Sequence, residues 1–87
     1  MDSSELSEAA WDLVEHCRKW LNISELNTAF VRLGVGEYND AMIIALKSAL
    51  RAGESLPAHL LARLTALGQV YYFDQDLTGL LATLDPE

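Results

Sequence analysis

Apolar residues recur at intervals of three and four along most of this chain, the spacing that gathers them on one face of an α-helix. Five segments carry the pattern, and turn or capping residues separate each from the next. No segment shows the alternation of apolar and polar residues that is typical of a strand. The sequence therefore predicts an all-α fold, a compact single-domain bundle of about five short helices over residues 1–87. Residues 1–4 and 85–87 are expected to fray.

The ends of the predicted helices follow from residues with strong local preferences. We expect the first helix to run from Ser4 to Leu21, and Asn22-Ile-Ser-Glu25 resembles a capping box that starts the second. Glycine tolerates the left-handed backbone that ends many helices, and proline and aspartate favour helix starts. On these grounds the remaining boundaries are placed at Gly34-Val35-Gly36, Gly53, Pro57 and Asp74.

The third helix is predicted to be the central one because its apolar face is the broadest. Seven residues form that face: Tyr38, Ala41, Met42, Ala45, Leu46, Ala49 and Leu50. Lys47 and Ser48 fall on the opposite side, with Ile44 among them. Either another segment covers the helix from behind or Ile44 is an exposed contact, and a central position favours the first alternative.

Composition is that of an ordinary small soluble domain. Of the 87 residues, 51% are hydrophobic, so the chain can bury a core without a metal or disulfide framework. The single cysteine, Cys17, cannot form an internal disulfide and is expected to be a core thiol. The sequence has neither the features of a signal peptide nor a run of about 18 apolar residues that could span a membrane, so we expect a cytoplasmic protein.

Negative charge is concentrated at the two ends of the sequence. The net charge is −7, with −5 in residues 1–16, −4 in residues 74–87 and +2 between them. Nucleic acid is an improbable ligand on this basis, because phosphate binding needs clustered lysine and arginine. The acidity suits a basic protein partner, although net charge also serves simply to keep a small protein soluble.

No pattern in the sequence predicts catalysis. His16 and His59 lie far apart without a metal-ligand spacing, and no nucleophile with a base or phosphate-binding loop is present. The Asp-Ser-Leu motif of acyl carrier proteins is also missing. We therefore predict that the chain is not an enzyme and uses no metal or cofactor.

A family resemblance rests on Gly36-Glu37-Tyr38-x-x-Ala41, on Leu46 and Leu50, and on Leu56-Pro57 before a leucine-rich helix that ends at Ala66-Leu67-Gly68. Over about residues 26–84 the chain resembles the MafI-like immunity proteins and the related CdiI-type proteins of contact-dependent growth inhibition. The longer acidic first helix and the more apolar third helix depart from that pattern, so the resemblance does not identify a toxin.

The resemblance implies a small cytoplasmic helical protein that binds the C-terminal toxin domain of a cognate effector, often a nuclease, in a one-to-one complex. A nuclease cleft is usually basic, which suits an acidic partner. The alternative is a small acidic helical adaptor or regulatory subunit that binds a protein other than a toxin.

Eight residues are the candidates for partner binding on this hypothesis: Glu8, Trp11, Asp12, Glu15, Glu37, Asp40, Asp74 and Asp76. The carboxylates of the first helix would steer a basic partner, and Trp11 would either anchor it or only cover the rim of the core. Glu37, Asp74 and Asp76 stand at predicted helix starts, where acidic residues are often only caps or partners of the helix dipole.

Overall fold

The computed structural model describes residues 4–84, and within them the fold is all-α without any strand, as predicted. Five α-helices follow one another: α1 (Ser4–Cys17), α2 (Ile23–Gly34), α3 (Tyr38–Ala52), α4 (Ala58–Leu67) and α5 (Gln75–Leu84). The fraying predicted for residues 1–3 and 85–87 lies outside the described residues, and Ser4 already belongs to α1. None of the described helices combines the length and hydrophobicity needed to cross a membrane.

The first helix is shorter than its periodicity predicts. A continuous helix to Leu21 is wrong: α1 ends at Cys17, and a single 3₁₀ turn, Arg18–Trp20, follows. Leu21 is extended, with φ −89° and ψ 136°, and its amide donates to the Arg18 carbonyl at 3.2 Å. The chain leaves helical geometry here because Asn22 must be extended to cap the next helix.

The predicted capping box and both glycine turns are confirmed. Asn22 Oδ1 accepts from the Glu25 amide at 2.7 Å, and Glu25 Oε1 accepts from the Asn22 amide at 3.0 Å. Gly36 and Gly53 have φ of +84° and +71°, which favour glycine because a Cβ is strained there. The turn at Gly36 reverses the chain between α2 and α3, and Gly53 ends α3.

The central position of α3 is confirmed, since α1, α2 and α5 all pack against it. Ile44 is partly buried and packs against the core, as the first of the two alternatives predicts. Two assignments on this helix are wrong. Ser48, expected on the polar side, is completely buried and donates to the Ala45 carbonyl at 2.6 Å, because neighbours surround the helix on more than one side. Leu50, expected on the buried face, lies in the last turn of the helix and remains 36% exposed.

Helices α1 and α3 run in the same direction. At one end, Leu6 of α1 lines a cleft together with Tyr38 of α3 and Asp74, which precedes α5. At the other end, the Trp20 carbonyl after α1 accepts from Arg51 Nη2 in the last turn of α3, at 2.8 Å. The amino-terminal ends of α1, α3 and α5 therefore meet at one end of the bundle.

Candidate protein-binding surface

The end of the bundle at which three helices begin is rich in carboxylates. Helices favour acidic residues in the first turn because their amide groups point there unpaired and carry partial positive charge. When three such ends lie together, their acidic residues form one surface. We call this surface the acidic end; it consists of Glu5, Glu37, Asp40, Asp74 and Asp76.

Three of the predicted partner-binding residues line one cleft of the acidic end. Glu37, Asp40 and Asp74 line a space of about 340 Å³ together with Leu6 and Asn39. Asn39 Nδ2 donates to the Tyr72 carbonyl at 3.2 Å, which ties the start of α3 to the loop before α5. Residues more than 30 positions apart in the sequence are thus held together.

Some carboxylates of the acidic end bind other groups of the protein, and others do not. Glu37 accepts from Arg32 Nη1 at 2.8 Å, and Asp74 Oδ1 accepts from the Leu77 amide at 3.0 Å as the predicted cap of α5. Glu5, Asp40 and Asp76 are exposed and form no ion pair with any residue in 4–84. These three charges are therefore available to a partner.

The predicted acidic row on α1 is partly neutralised. Arg63 of α4 reaches across to it, with Nη1 at 2.7 Å from Asp12 Oδ2 and Nη2 at 4.0 Å from Glu8 Oε1. Glu15 lies 3.4 Å from Arg18. The three carboxylates remain more than half exposed, so their ion pairs are screened by water and are individually weak.

Trp11 has a packing role that the sequence left open. Its ring centroid lies 5.4 Å from that of Phe30 on α2, in a tilted arrangement favourable to aromatic pairs, and the residue is still 39% exposed. Covering the rim of the core is therefore one role of Trp11. Its role as an anchor for a partner stays a prediction.

Arg63 is the residue of this surface that sequence reasoning missed. It lies three positions after Leu60 and directly before Leu64, which are both buried, and so stands at the edge of the apolar face of α4. A long basic side chain at such an edge can reach a carboxylate on the neighbouring helix. That position was the available signal, but the sequence does not say that α1 is the neighbour.

Cations lie at the opposite end of the bundle, where they interact with other groups of the fold. We call Arg18, Lys19 and Arg51 the basic end. Arg51 donates to both carboxylate oxygens of Glu25, at 2.7 and 2.8 Å, and Lys19 Nζ lies 4.8 Å from the ring centroid of Trp20. The guanidinium of Arg51 and the Asn22 amide lower the pKa of Glu25 from 4.5 to about 2.

Neither a reactive thiol nor a cluster of metal ligands is present among the described residues. Cys17 is fully buried, and burial raises the pKa of its thiol to about 11 despite the hydrogen bond with Ser48, so it is a poor nucleophile at neutral pH. Within residues 4–84, His, Cys, Asp and Glu side chains do not gather in threes as a metal site would require.

Comparison with known protein families, with characterised proteins and with solved structures finds no match to this chain. The resemblance to MafI-like and CdiI-type immunity proteins therefore stays a prediction from the motifs around Gly36-Glu37-Tyr38.

Proposed function

We propose that this protein is an immunity protein, which binds and neutralises the toxin domain of a cognate effector of the contact-dependent growth-inhibition or polymorphic toxin kind. The expected toxin is a nuclease, the expected complex is one-to-one, and the expected location is the cytoplasm. The chain would act by occupying or covering a basic surface of the toxin. No catalysis by the chain itself is needed.

The observation that carries this proposal is the clustering of exposed carboxylates at the acidic end. Asp40 and Asp76 begin different helices and have no internal ion pair within residues 4–84, yet packing of α5 on α3 brings their helix ends together. Clustered like charge that the fold does not neutralise repels itself and raises the free energy of the folded state. A basic partner would relieve that repulsion and would associate rapidly under electrostatic steering.

Co-expression tests the proposal directly. The C-terminal domain of the effector encoded by the gene immediately upstream is expressed with and without this chain, and growth is followed. Rescue of growth is expected, together with a one-to-one complex of the purified proteins by light scattering. The association rate should fall steeply as salt is raised, because steering between opposite charges is screened within about 10 Å at 0.1 M salt.

Two results would contradict the proposal. If neither rescue nor binding is observed, and circular dichroism shows that this chain is folded, then the toxin domain is not its partner. An upstream operon without any effector or toxin domain would favour the alternative of an adaptor.

The adaptor alternative has one observation in its favour. The outward face of α2 exposes Ile23 (80%), Val31 (62%) and, just beyond the helix, Val35 (65%). A partly apolar helix face suits a partner with a matching apolar surface rather than a basic one. Val31→Asp would abolish adaptor binding, whereas binding through the acidic end would survive it.

A further inference from the structure

A second cleft lies beside the acidic end, between the first turns of α1 and the end of α4. It measures about 390 Å³ and is lined by Glu5, Glu8, Arg63, Ala66, Leu67, Val70 and Tyr71. One wall carries carboxylates, and the floor is formed by the aliphatic side chains of α4 and of the turn that follows it. Val70 on that turn is 61% exposed.

An apolar floor next to paired carboxylates matches the chemistry of one kind of side chain. Lysine and arginine have an aliphatic stem that packs on apolar surface and a cationic head that seeks carboxylates or water. A purely apolar ligand would leave Glu5 and Glu8 desolvated, and a bare cation would leave Val70 uncovered. A side chain with both parts would contact both the carboxylates and the apolar residues of the cleft.

The chain itself shows that this side of α1 accepts a guanidinium. Arg63 places its guanidinium against Asp12 at 2.7 Å, while its distance to Glu8 is 4.0 Å. Glu8 is 75% exposed along its side chain, and Glu5, one turn earlier, forms no ion pair within residues 4–84. Three carboxylates thus face one internal cation, which leaves negative charge for a second cation near Glu5 and Glu8.

We propose that this cleft receives a lysine or arginine side chain of the partner protein. The stem lies on the aliphatic floor, and the cationic group lies between Glu5 and Glu8. The source of that side chain rests on the proposed function, because a basic toxin domain would supply it. The preference of the cleft for an alkyl cation follows from its own residues and can be measured without the toxin.

The first experiment uses n-butylguanidinium as a probe of the cleft. Labelled protein is titrated at low salt while amide chemical shifts are recorded, with guanidinium and n-butanol as probes that lack the stem or the charge. Saturable shifts are expected for the amides of Glu5, Glu8 and Val70 with n-butylguanidinium alone. Shifts centred on Asp40 and Asp74 instead, or equal binding of guanidinium, would overturn the proposal.

Matched variants separate the cleft from general acidity. Glu5→Gln with Glu8→Gln should weaken n-butylguanidinium binding about two- to fivefold, the range expected for an exposed ion pair. Val70→Ser should weaken it without changing any charge. The control, Asp40→Asn with Asp76→Asn, removes the same charge from the same end of the bundle but lies outside the cleft, and should leave binding unchanged. An equal loss in the control would overturn the proposal.

The second experiment measures the same variants against the toxin domain. Weaker binding with Glu5→Gln and Glu8→Gln, and with Val70→Ser, supports a toxin side chain as the occupant, while unchanged affinity excludes it. If the wild-type protein does not bind the toxin domain at all, the proposed function fails, and the n-butylguanidinium titration still decides the chemistry of the cleft.

Discussion

The two ends of this bundle differ in how the fold uses their charged residues. At the basic end, Arg51 ties α3 to Glu25 and to the Trp20 carbonyl, so the charge takes part in holding helices together. At the acidic end, Asp40 and Asp76 have no ion pair within residues 4–84. Both arrangements are favourable to the helix dipoles, but the unpaired carboxylates of the acidic end lie together on one surface, where a partner could contact them.

The largest expected effect is on binding and comes from reversing charge at the acidic end. Asp40→Lys combined with Asp76→Lys should weaken binding of the toxin domain by about 100-fold, because like charges brought together across an interface cost several kcal/mol. Glu54→Lys, an exposed change just beyond α3 at the basic end, is the control and should have little effect. Isothermal titration calorimetry measures all of these affinities. Equal losses from both ends would mean that overall charge, and not the acidic end, determines binding.

The second prediction concerns stability, for which we expect the larger effect at the basic end and the smaller one at the acidic end. Glu25→Ala removes the acceptor of the Asn22 amide and the partner of Arg51, and should lower the free energy of unfolding by about 1–2 kcal/mol. Asp40→Ala should change it by no more than about 0.5 kcal/mol, as is usual for exposed positions. Urea unfolding followed by circular dichroism makes the comparison. A cost at Asp40 as large as that at Glu25 would show that the acidic end is also structural.

The third prediction separates two roles of Asp74 at the acidic end, which are capping of α5 and contact with a partner. Asp74→Ala removes the cap of α5 and should cost about 1 kcal/mol in the free energy of unfolding. Asp74→Asn keeps an oxygen for the Leu77 amide and removes only the charge, so stability should change little. If Asp74→Asn nevertheless weakens toxin binding, the carboxylate contacts the partner; unchanged binding would restrict Asp74 to capping.

The smallest effect is a pH dependence confined to the basic end. The pKa of Glu25 in the folded protein is about 2, below its ordinary value of 4.5, so the ionised carboxylate stabilises the fold above pH 4.5. That contribution, less than about 1 kcal/mol, is lost as pH falls from 4.5 towards 2. The difference in unfolding free energy between wild type and Glu25→Gln should therefore shrink over this interval. A constant difference would mean that the pKa of Glu25 is not lowered.

Sequence reasoning was most successful where a structure depends on residues within one or two turns. The capping box at Asn22, the turns at Gly36 and Gly53 and the cap at Asp74 all depend on hydrogen bonds or backbone preferences of neighbouring residues. The same reasoning failed at Ser48, because a helical wheel assumes one buried face. A helix with neighbours on several sides has no single polar side.

The sequence could predict the individual residues of the candidate site but not their assembly into one surface. That Asp40 and Asp76 stand in the first turns of helices follows from the sequence, and so does the exposure expected of charged residues. Their assembly into one surface requires that the amino-terminal ends of α3 and α5 lie side by side. The pairing of Arg63 with Asp12, 51 positions away, likewise depends on α4 packing beside α1.

Five helices, most of their boundaries and the placement of acidic residues at helix starts could be predicted from the sequence, because these depend on periodicity and on contacts within a turn. The sequence did not predict which helix ends meet, which carboxylates an arginine neutralises and which stay unpaired within residues 4–84. Those outcomes depend on the packing of distant apolar faces, and many arrangements of five such helices would satisfy the same local preferences.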